Sequence, residues 1–435
     1  MNQKKRLLFV SYFYPPSRAV ASVRTGNIAL HLARRGWDVT VVTPEPESWT
    51  GNLEDKQCLA DACASGVKYL HINPWFGFLD PGHLRCGGVG RSRWGGGVGR
   101  RVIRWAGVEP QVGWLLALQQ KLRPSEAAKA NLMLVSGSPF LTFPFMARLA
   151  GATVRPLVVD YRDLWTAGNP HGSFPHRDRR RERAVLQAAS AVITISQGCA
   201  VALDEVFSTA ARTRVITNGF NAAEMDRVKA TEFPEPAVVY AGNFYPPKRV
   251  ITPIFEAMRE MDSREEMRRQ SWRFHYYGRD ASHVQSEMMR HRLQNRVVIH
   301  GEVPRSEVLA ATRGATVAIV ITSVETTGTA ADRGIVTGKI FEIAGLGAAM
   351  LLIAPPGSDA DEIVRSTGAG YRASGENIAG IATFLSESIV SKKAVPQRGS
   401  CYEWGHLADR MEKLFSEVIE ASESVRRTPP TRNVR

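Results

Sequence analysis

The chain has 435 residues, of which 44% are apolar, and this length and composition predict two domains, each with its own hydrophobic core. Its formal net charge of +14 predicts an anionic partner, which is a nucleic acid, an acidic membrane surface or a phosphorylated small molecule. The five cysteines show no CxxC spacing and no histidine at metal-ligand distance, which argues against a disulfide framework and a cysteine-based metal site.

The N-terminal sequence indicates a cytoplasmic protein. Residues 1–6 lead into a short apolar strand, without the apolar region and cleavage site of a signal peptide. Because no run of about 18 apolar residues occurs, no membrane-spanning helix is expected. Peripheral contact with the inner face of a membrane stays open.

The first half of the chain alternates between predicted strands and helices. An apolar strand at residues 6–12 precedes an amphipathic helix at 22–35, and Gly36 ends that helix before a strand at 37–43. Such a βαβ unit requires parallel strands in a sheet that helices cover on both faces. Further strands are expected at residues 132–136, 157–160, 192–196 and 214–217.

The same pattern restarts after a proline- and charge-bearing stretch at residues 224–236. A helix is expected at residues 250–260, and strands at 238–242, 274–278, 297–301, 317–322 and 349–353. The predicted fold class is α/β, with two Rossmann-like, doubly wound parallel-sheet domains at residues 1–223 and 237–402 and a linker at 224–236. A final helix at residues 403–423 is expected to pack back on the first domain, and residues 424–435 to form a disordered basic tail.

The two domains open with similar loops. The sequence FYPPSR at residues 13–18 follows the first strand of one domain, and FYPPKR at residues 244–249 follows the first strand of the other. Chance is the alternative explanation, since strands commonly end at proline. Ligands of doubly wound sheets bind beyond the carboxyl ends of the strands, so two facing domains would bring both basic loops to one cleft.

A glycine-punctuated loop at residues 334–338 enters an apolar helix whose N-terminus suits a diphosphate. Thr337 and Gly338 would supply backbone amides, and Lys339 a counter-charge. Glu342, one turn later, would accept hydrogen bonds from ribose hydroxyls. The GxGxxG fingerprint is missing after the first strand, which disfavours a dehydrogenase.

The stretch DYRDLW at residues 160–165 resembles the DFRDPW motif of a bacterial branch of family 4 of the GT-B glycosyltransferases. The similarity covers nearly the whole chain, from the Pro15-Pro16 loop through Ala241-Gly242 to Trp404, with the order and spacing of that family. The resemblance implies a retaining transfer from a nucleoside-diphosphate sugar without a metal or cofactor. It also implies that the donor binds the C-terminal domain and the acceptor the N-terminal one.

The family's glycine-Arg-x4-Lys element, whose basic groups neutralise the departing diphosphate, falls on Gly242, Asn243 and Lys248. By this resemblance Lys248 is a catalytic cation. Asn243 departs from the family's arginine but is kept as a donor-site residue, and Arg249 is expected to compensate.

The family's two glutamates, separated by seven residues, fall on Gly334 and Glu342. Only the second, which contacts ribose, is kept. The first lies near the transferred sugar in the family, so Gly334 leaves sugar recognition open.

Asp163 ends a predicted strand where the acceptor would bind, and its carboxylate would orient or deprotonate an acceptor hydroxyl. Pairing with Arg162, or capping of the next turn, is the alternative. Ser138 and Pro139 end another strand and either shape the same pocket or only terminate that strand.

The family's glycine pair in the first loop is replaced by residues 18–21, and Arg18 or Arg24 is expected to contact the ligand instead. A basic segment at residues 91–104, interleaved with Trp94 and followed by Trp105, suits either an anionic membrane surface or a solvated loop. For the basic run at residues 176–183 a solvated helix face is favoured.

These observations favour a glycosyltransferase that uses a nucleotide-sugar donor and a glycan or lipid-linked acceptor in bacterial cell-surface polysaccharide synthesis. A nucleotide-sugar epimerase of similar architecture is one alternative, although Gly334 removes a carboxylate that acid/base chemistry needs. A basic nucleic-acid-binding protein is the other, but only charge supports it, because no recognisable nucleic-acid-binding motif is present.

Overall fold

The computed structural model describes residues 4–17, 19–45, 53–75, 109–168, 176–391 and 399–427. The chain divides into two compact units, Met1–Thr217 with Trp404–Arg435, and Asn218–Glu403. The predicted fold class is confirmed, because the strands of each unit form one parallel sheet. Arg18, the basic segment at residues 91–104 and residues 428–435 lie outside the described residues.

The first unit has a seven-stranded sheet among its described residues, in the order β3-β2-β1-β4-β5-β6-β7. The strands are β1 Arg6–Ser11, β2 Asp38–Thr43, β3 Lys68–His71, β4 Leu132–Gly137, β5 Leu157–Tyr161, β6 Ala191–Thr194 and β7 Thr213–Val215. The helices up to the end of this sheet are α1 Val20–Arg34, α2 Leu53–Ala64, α3 Val112–Lys121, α4 Pro124–Ala127, α5 Thr142–Thr153, α6 His176–Ala188 and α7 Gln197–Phe207.

The second unit has a six-stranded sheet among its described residues, in the order β10-β9-β8-β11-β12-β13. The strands are β8 Ala237–Ala241, β9 Arg273–Tyr277, β10 Val297–Gly301, β11 Val317–Ile321, β12 Met350–Ile353 and β13 Gly370–Ala373. The helices are α8 Ala222–Arg227, α9 Thr252–Ser263, α10 Glu265–Arg269, α11 Ala281–His291, α12 Arg305–Gly314, α13 Ala330–Arg333, α14 Gly338–Leu346, α15 Asp359–Thr367 and α16 Ile378–Val390.

The last helix, α17 (Trp404–Arg427), belongs to the first unit. Its apolar side, with Leu407, Met411 and Phe415, lies in the same buried cluster as Trp37 of that unit. The helix continues past the predicted end at residue 423, so residues 424–427 are helical and are not part of a tail. Neither α17 nor any other helix in the described ranges has the length and apolar character needed to cross a membrane.

The predicted linker at residues 224–236 overlaps a packed helix. Asn221 caps α8 by accepting a hydrogen bond from the Glu224 amide, and Met225 is buried in one cluster with Phe341 of the second unit. The division between the units therefore falls after Thr217, earlier than the predicted boundary at residue 223.

Two strands of the structure escape the sequence pattern. The strands β3 and β13 lie at sheet edges and are only partly buried. Because one face of an edge strand meets solvent, neither carries the continuous apolar run that marks the central strands.

The strand order of each unit reverses at one point, between β1 and β4 in the first sheet and between β8 and β11 in the second. Strands on the two sides of such a point lead their loops in opposite directions, which opens a crevice at the carboxyl ends of the strands. The loops after β8 and β11 therefore flank the ligand position expected in the second unit.

Candidate functional site

The loop after β8 meets the N-terminus of α14 at this reversal point. Gly242 has a φ of +148°, a conformation that favours glycine, and its amide donates to the Tyr277 carbonyl at 2.8 Å. A Cβ atom at Gly242 would overlap Lys339 Nζ. The glycine therefore makes room for an ammonium group over the end of the strand.

Lys339 is the central cation of this arrangement. Its Nζ lies 5.7 Å from the centre of the Tyr240 ring, and within the described ranges no carboxylate forms a hydrogen bond with it. Burial, helped by the nearby charge of Arg249, lowers the pKa of Lys339 to about 8, although Glu342 acts in the opposite direction. Because a desolvated ammonium without an anion is unfavourable, an anionic ligand would relieve this environment.

Arg249 brings a second cation close to Lys339. Its guanidinium lies 5.3 Å from the centre of the Tyr245 ring, and two backbone hydrogen bonds of 2.9 and 3.0 Å between Tyr245 and Arg249 close the loop. Its buried Nε has no hydrogen-bond partner in the described part of the chain. Arg249 thus retains a donor for a ligand.

Lys248 already has a partner, which sequence reasoning missed. Its Nζ donates to Asp332 Oδ1, while the other carboxylate oxygen of Asp332 accepts from the amide and hydroxyl of Thr329 at 3.0 and 2.9 Å. Burial raises the pKa of Asp332, but the bonds from Lys248 and Thr329 outweigh it and hold that pKa below its usual value. Lys248 is therefore a paired cation, unlike Lys339.

The predicted amide donors lie at the start of α14. Thr337 is the N-cap, and its side chain accepts from the Lys339 amide at 3.5 Å. A Cβ at Gly338 would meet no other atom within 4 Å, so the first turn borders open space. Asn243 lies in the facing loop, where its carbonyl accepts from the Tyr240 hydroxyl at 3.4 Å.

Glu342 is held by Arg305, a residue that the sequence pattern did not reveal. Arg305 donates to Glu342 Oε1 from Nε at 3.2 Å and from Nη2 at 2.8 Å, and to Glu224 from Nη1. Burial lowers the pKa of Arg305, but the two carboxylates outweigh it and raise that pKa above its ordinary value. Both bonds to Glu342 use one oxygen, so Arg305 orients the carboxylate and leaves Oε2 as an acceptor.

Asp163 stands exposed just after β5, in the first unit. In the described ranges its carboxylate forms no hydrogen bond, and its interaction with Arg162 is electrostatic only. Arg162 turns instead to Ser136 Oγ at 3.2 Å and to the Ser138 carbonyl at 3.1 Å. The predicted acceptor-side carboxylate is thus accessible, and Ser138 serves to position Arg162.

Arg24 does not fulfil the expectation that it contacts a ligand. Its side chain is 2% exposed and forms a salt bridge with Asp160 at 2.7 Å, while Nη1 donates to the Thr217 carbonyl at 2.8 Å. Ser136 also donates to Asp160 at 2.8 Å. The first aspartate of the DYRDLW motif therefore holds α1 to the sheet.

The basic run at residues 176–183 is the N-terminal part of α6 and is mostly exposed, as expected for a solvated helix face. The two acidic residues of this run, Asp178 and Glu182, are buried, and Glu182 Oε2 accepts from the Thr166 amide and hydroxyl at 2.9 and 2.5 Å. Burial raises the pKa of Glu182 to about 7, although its hydrogen bonds act against this.

Comparison with known proteins supports the two-sheet α/β fold and identifies a related family. Residues 21–219 match the family described as glycosyl transferase 4-like domain. No curated protein sequence matches the chain.

Three solved structures illustrate the fold likeness. Sucrose-phosphate synthase from Thermosynechococcus elongatus has a TM-score of 0.64 at 15% identity, covering 96% of this chain and 100% of that chain. HepE from Anabaena, in complex with UDP and glucose, has a TM-score of 0.59 at 16% identity, covering 94% and 99%. A protein described as a UDP-N-acetylglucosamine 2-epimerase from Listeria monocytogenes has a TM-score of 0.53 at 14% identity, covering 96% and 98%.

Proposed function

We propose that the second unit of this chain binds a nucleoside-diphosphate sugar as donor. The premise is that residues 21–219 belong to the glycosyl transferase 4-like family, and that the chain is accordingly a glycosyltransferase with the GT-B fold. The acceptor, a glycan or lipid-linked sugar of bacterial cell-surface polysaccharide synthesis, is proposed to bind the first unit. The observation that carries the proposal is the desolvated Lys339 ammonium, beside Arg249 and the N-terminus of α14.

Leaving-group stabilisation is the proposed source of catalysis. As the bond between the sugar and the diphosphate breaks, negative charge grows on the phosphate oxygens. Lys339, Arg249 and the amides of Thr337 and Gly338 are proposed to meet this charge, and their proximity at the start of α14 supports the proposal. Since these groups supply the charge that a divalent metal supplies elsewhere, we propose that transfer is metal-independent. That transfer retains the anomeric configuration is proposed from the family resemblance alone.

Lys248 is proposed to join this set by exchanging Asp332 for a phosphate oxygen. Its ammonium forms an ion pair with Asp332, so a phosphate oxygen must compete with that carboxylate. Arg249, which follows Lys248 directly, is proposed to replace the missing arginine at Asn243.

Glu342 is proposed to receive the ribose hydroxyls of the donor. Arg305 donates two hydrogen bonds to one of its oxygens, which orients the carboxylate for a ligand. Asp163, exposed and not hydrogen-bonded within the described ranges, is proposed to orient or deprotonate the acceptor hydroxyl.

The proposal is tested by calorimetric titration of UDP, the nucleotide bound by HepE, into the full chain and into Glu342→Ala and Lys248→Ala. Loss of a charge-assisted hydrogen bond predicts that each variant binds about 10- to 100-fold more weakly. Arg365→Ala, which changes an exposed arginine paired with Glu362, is the matched control and should bind as the unchanged protein does. Equal affinity in all variants would refute the site assignment.

Product analysis separates transfer from epimerisation. A glycosyltransferase releases UDP only as sugar moves to an acceptor or to water, whereas an epimerase returns an altered UDP-sugar with no UDP release. NMR of the new glycosidic bond then reports whether the anomeric configuration of the donor is retained.

A further inference from the structure

A groove of about 450 Å³ lies in the first unit, between α17 and the segments that precede β6 and β7. Ser190 and Arg212, which line it, come directly before these two strands, so the groove opens at the amino ends of the parallel strands. Ligand crevices of doubly wound sheets open at the carboxyl ends. The groove is therefore separate from the positions at which donor and acceptor are proposed to bind.

Two valines project from the walls of this groove into solvent. Val154 is 65% exposed and Val425 is 77% exposed. Val154 also ends α5 in the left-handed region, with a φ of +51°, where glycine is the usual residue and a β-branched side chain is strained. An apolar side chain that is both exposed and strained indicates a contact outside the chain.

Three arginines line the same groove, Arg212, Arg214 and Arg426, together with one acidic residue, Glu417. Arg155 directly follows the lining residue Val154. Burial lowers the pKa of Arg155, and the charge of Arg426 lowers it further, while Glu423 acts in the opposite direction. In the described part of the chain the buried Nε of Arg155 has no hydrogen-bond partner. Binding of an anion would relieve the repulsion between the Arg155 and Arg426 guanidinium groups.

We propose that this groove docks the first unit on an anionic lipid surface, with Val154 and Val425 entering the apolar boundary and the arginines binding headgroup phosphates. Charge disfavours a second copy of this chain and the chain's own residues 428–435 as occupants of the groove. A second copy of this chain has a net charge of +14, and residues 428–435 contain two arginines and no acidic residue. Nucleic acid would satisfy the arginines but would leave two protruding valines without a role.

Co-sedimentation of the full chain with vesicles tests the proposal. Vesicles of phosphatidylglycerol and phosphatidylcholine should retain the protein, those of phosphatidylcholine alone should not, and added salt should release it. Val425→Ser should weaken vesicle binding about fivefold to tenfold, because its methyl groups no longer leave water. Val390→Ser, at a helix end of the second unit where the valine is 52% exposed, is the matched control and should bind normally.

Two further variants separate docking from folding. Val154→Gly relieves the left-handed strain, so the melting temperature should hold or rise while vesicle binding falls. Arg214→Gln with Arg426→Gln should lower vesicle binding at least tenfold, whereas Arg365→Gln should not.

Unchanged vesicle binding in the valine and arginine variants would overturn the proposal, as would equal binding to neutral vesicles. Short duplex DNA that binds the protein with an affinity lost only in the arginine variants would also overturn it, in favour of a nucleic-acid site.

Discussion

The ammonium of Lys339 lies over Gly242, in the space that a side chain at residue 242 would fill. This contact joins the loop after β8 to the start of α14 across the reversal point of the second sheet. The cation is thus held over a strand end, where the surrounding protein removes water from it and, in the described part of the chain, no carboxylate forms a hydrogen bond with it. Both the donor affinity and the pH dependence expected for this chain follow from that position.

Gly242→Ala should displace Lys339 and weaken UDP binding more than tenfold. The new Cβ would overlap the ammonium, and the backbone φ of +148° disfavours alanine as well. Calorimetric titration measures the affinity, and circular dichroism checks that the variant is folded. Gly405→Ala, where a Cβ would meet no atom within 4 Å, is the control and should leave UDP affinity unchanged.

Lys339→Met should make the ligand-free protein more stable while nearly abolishing UDP binding. The pKa of Lys339 lies at about 8 when folded and near its ordinary 10.5 when unfolded, so the folded state binds fewer protons between these values. Stability of the unchanged protein should therefore rise with pH from about 8 to about 10.5. Below that window its free energy of unfolding should be lower by about 3 kcal/mol.

Melting curves of the Lys339→Met variant at pH 7 and pH 10 test this directly. The variant should lack the rise seen in the unchanged protein over that range. UDP affinity of the unchanged protein should decline as pH passes about 8, because neutral Lys339 no longer attracts phosphate. A pH-independent UDP affinity would place Lys339 away from the ligand.

Asp332→Asn should release Lys248 and raise UDP affinity several-fold. The same change removes the carboxylate that caps α13, which should lower stability by about 1 kcal/mol. Thr329→Ala separates the two effects, because it removes the capping hydroxyl but leaves the Lys248 partner in place. If Thr329→Ala raises UDP affinity as much as Asp332→Asn does, competition for Lys248 is not the cause.

The sequence predicts the fold of this chain better than the partners of its charged residues. Central strands such as β1 and β11 are buried on both faces, and their continuous apolar runs mark them in the sequence. The helix start at Thr337 is equally visible, because a polar cap and a glycine precede an apolar run. These are local signals.

Pairs of distant charges leave no such signal. Arg24 and Asp160 are 136 positions apart, and Lys248 and Asp332 are 84 positions apart. Nothing in the local pattern distinguishes an arginine that is buried against a carboxylate from one that faces a ligand, so Arg24 was misassigned and Asp332 was missed. The one local clue to Asp332 is its place three residues after Thr329, the spacing of a capping box.

Glu182→Gln should stabilise the first unit at neutral and higher pH. The folded-state pKa of this buried carboxyl is raised to about 7 from 4.5, so the folded state binds more protons between these values. Stability of the unchanged protein should then fall as pH rises from about 4.5 to about 7, and stay low above it. Glutamine keeps an acceptor for Thr166 but carries no charge, so the variant should lack this fall.

Melting temperatures at pH 5 and pH 8 measure the difference in stability. Glu417→Gln, on the exposed surface of α17, is the control and should show the same difference in melting temperature as the unchanged protein. A variant that loses stability at pH 8 would show that Glu182 is ionised and stabilised in the fold.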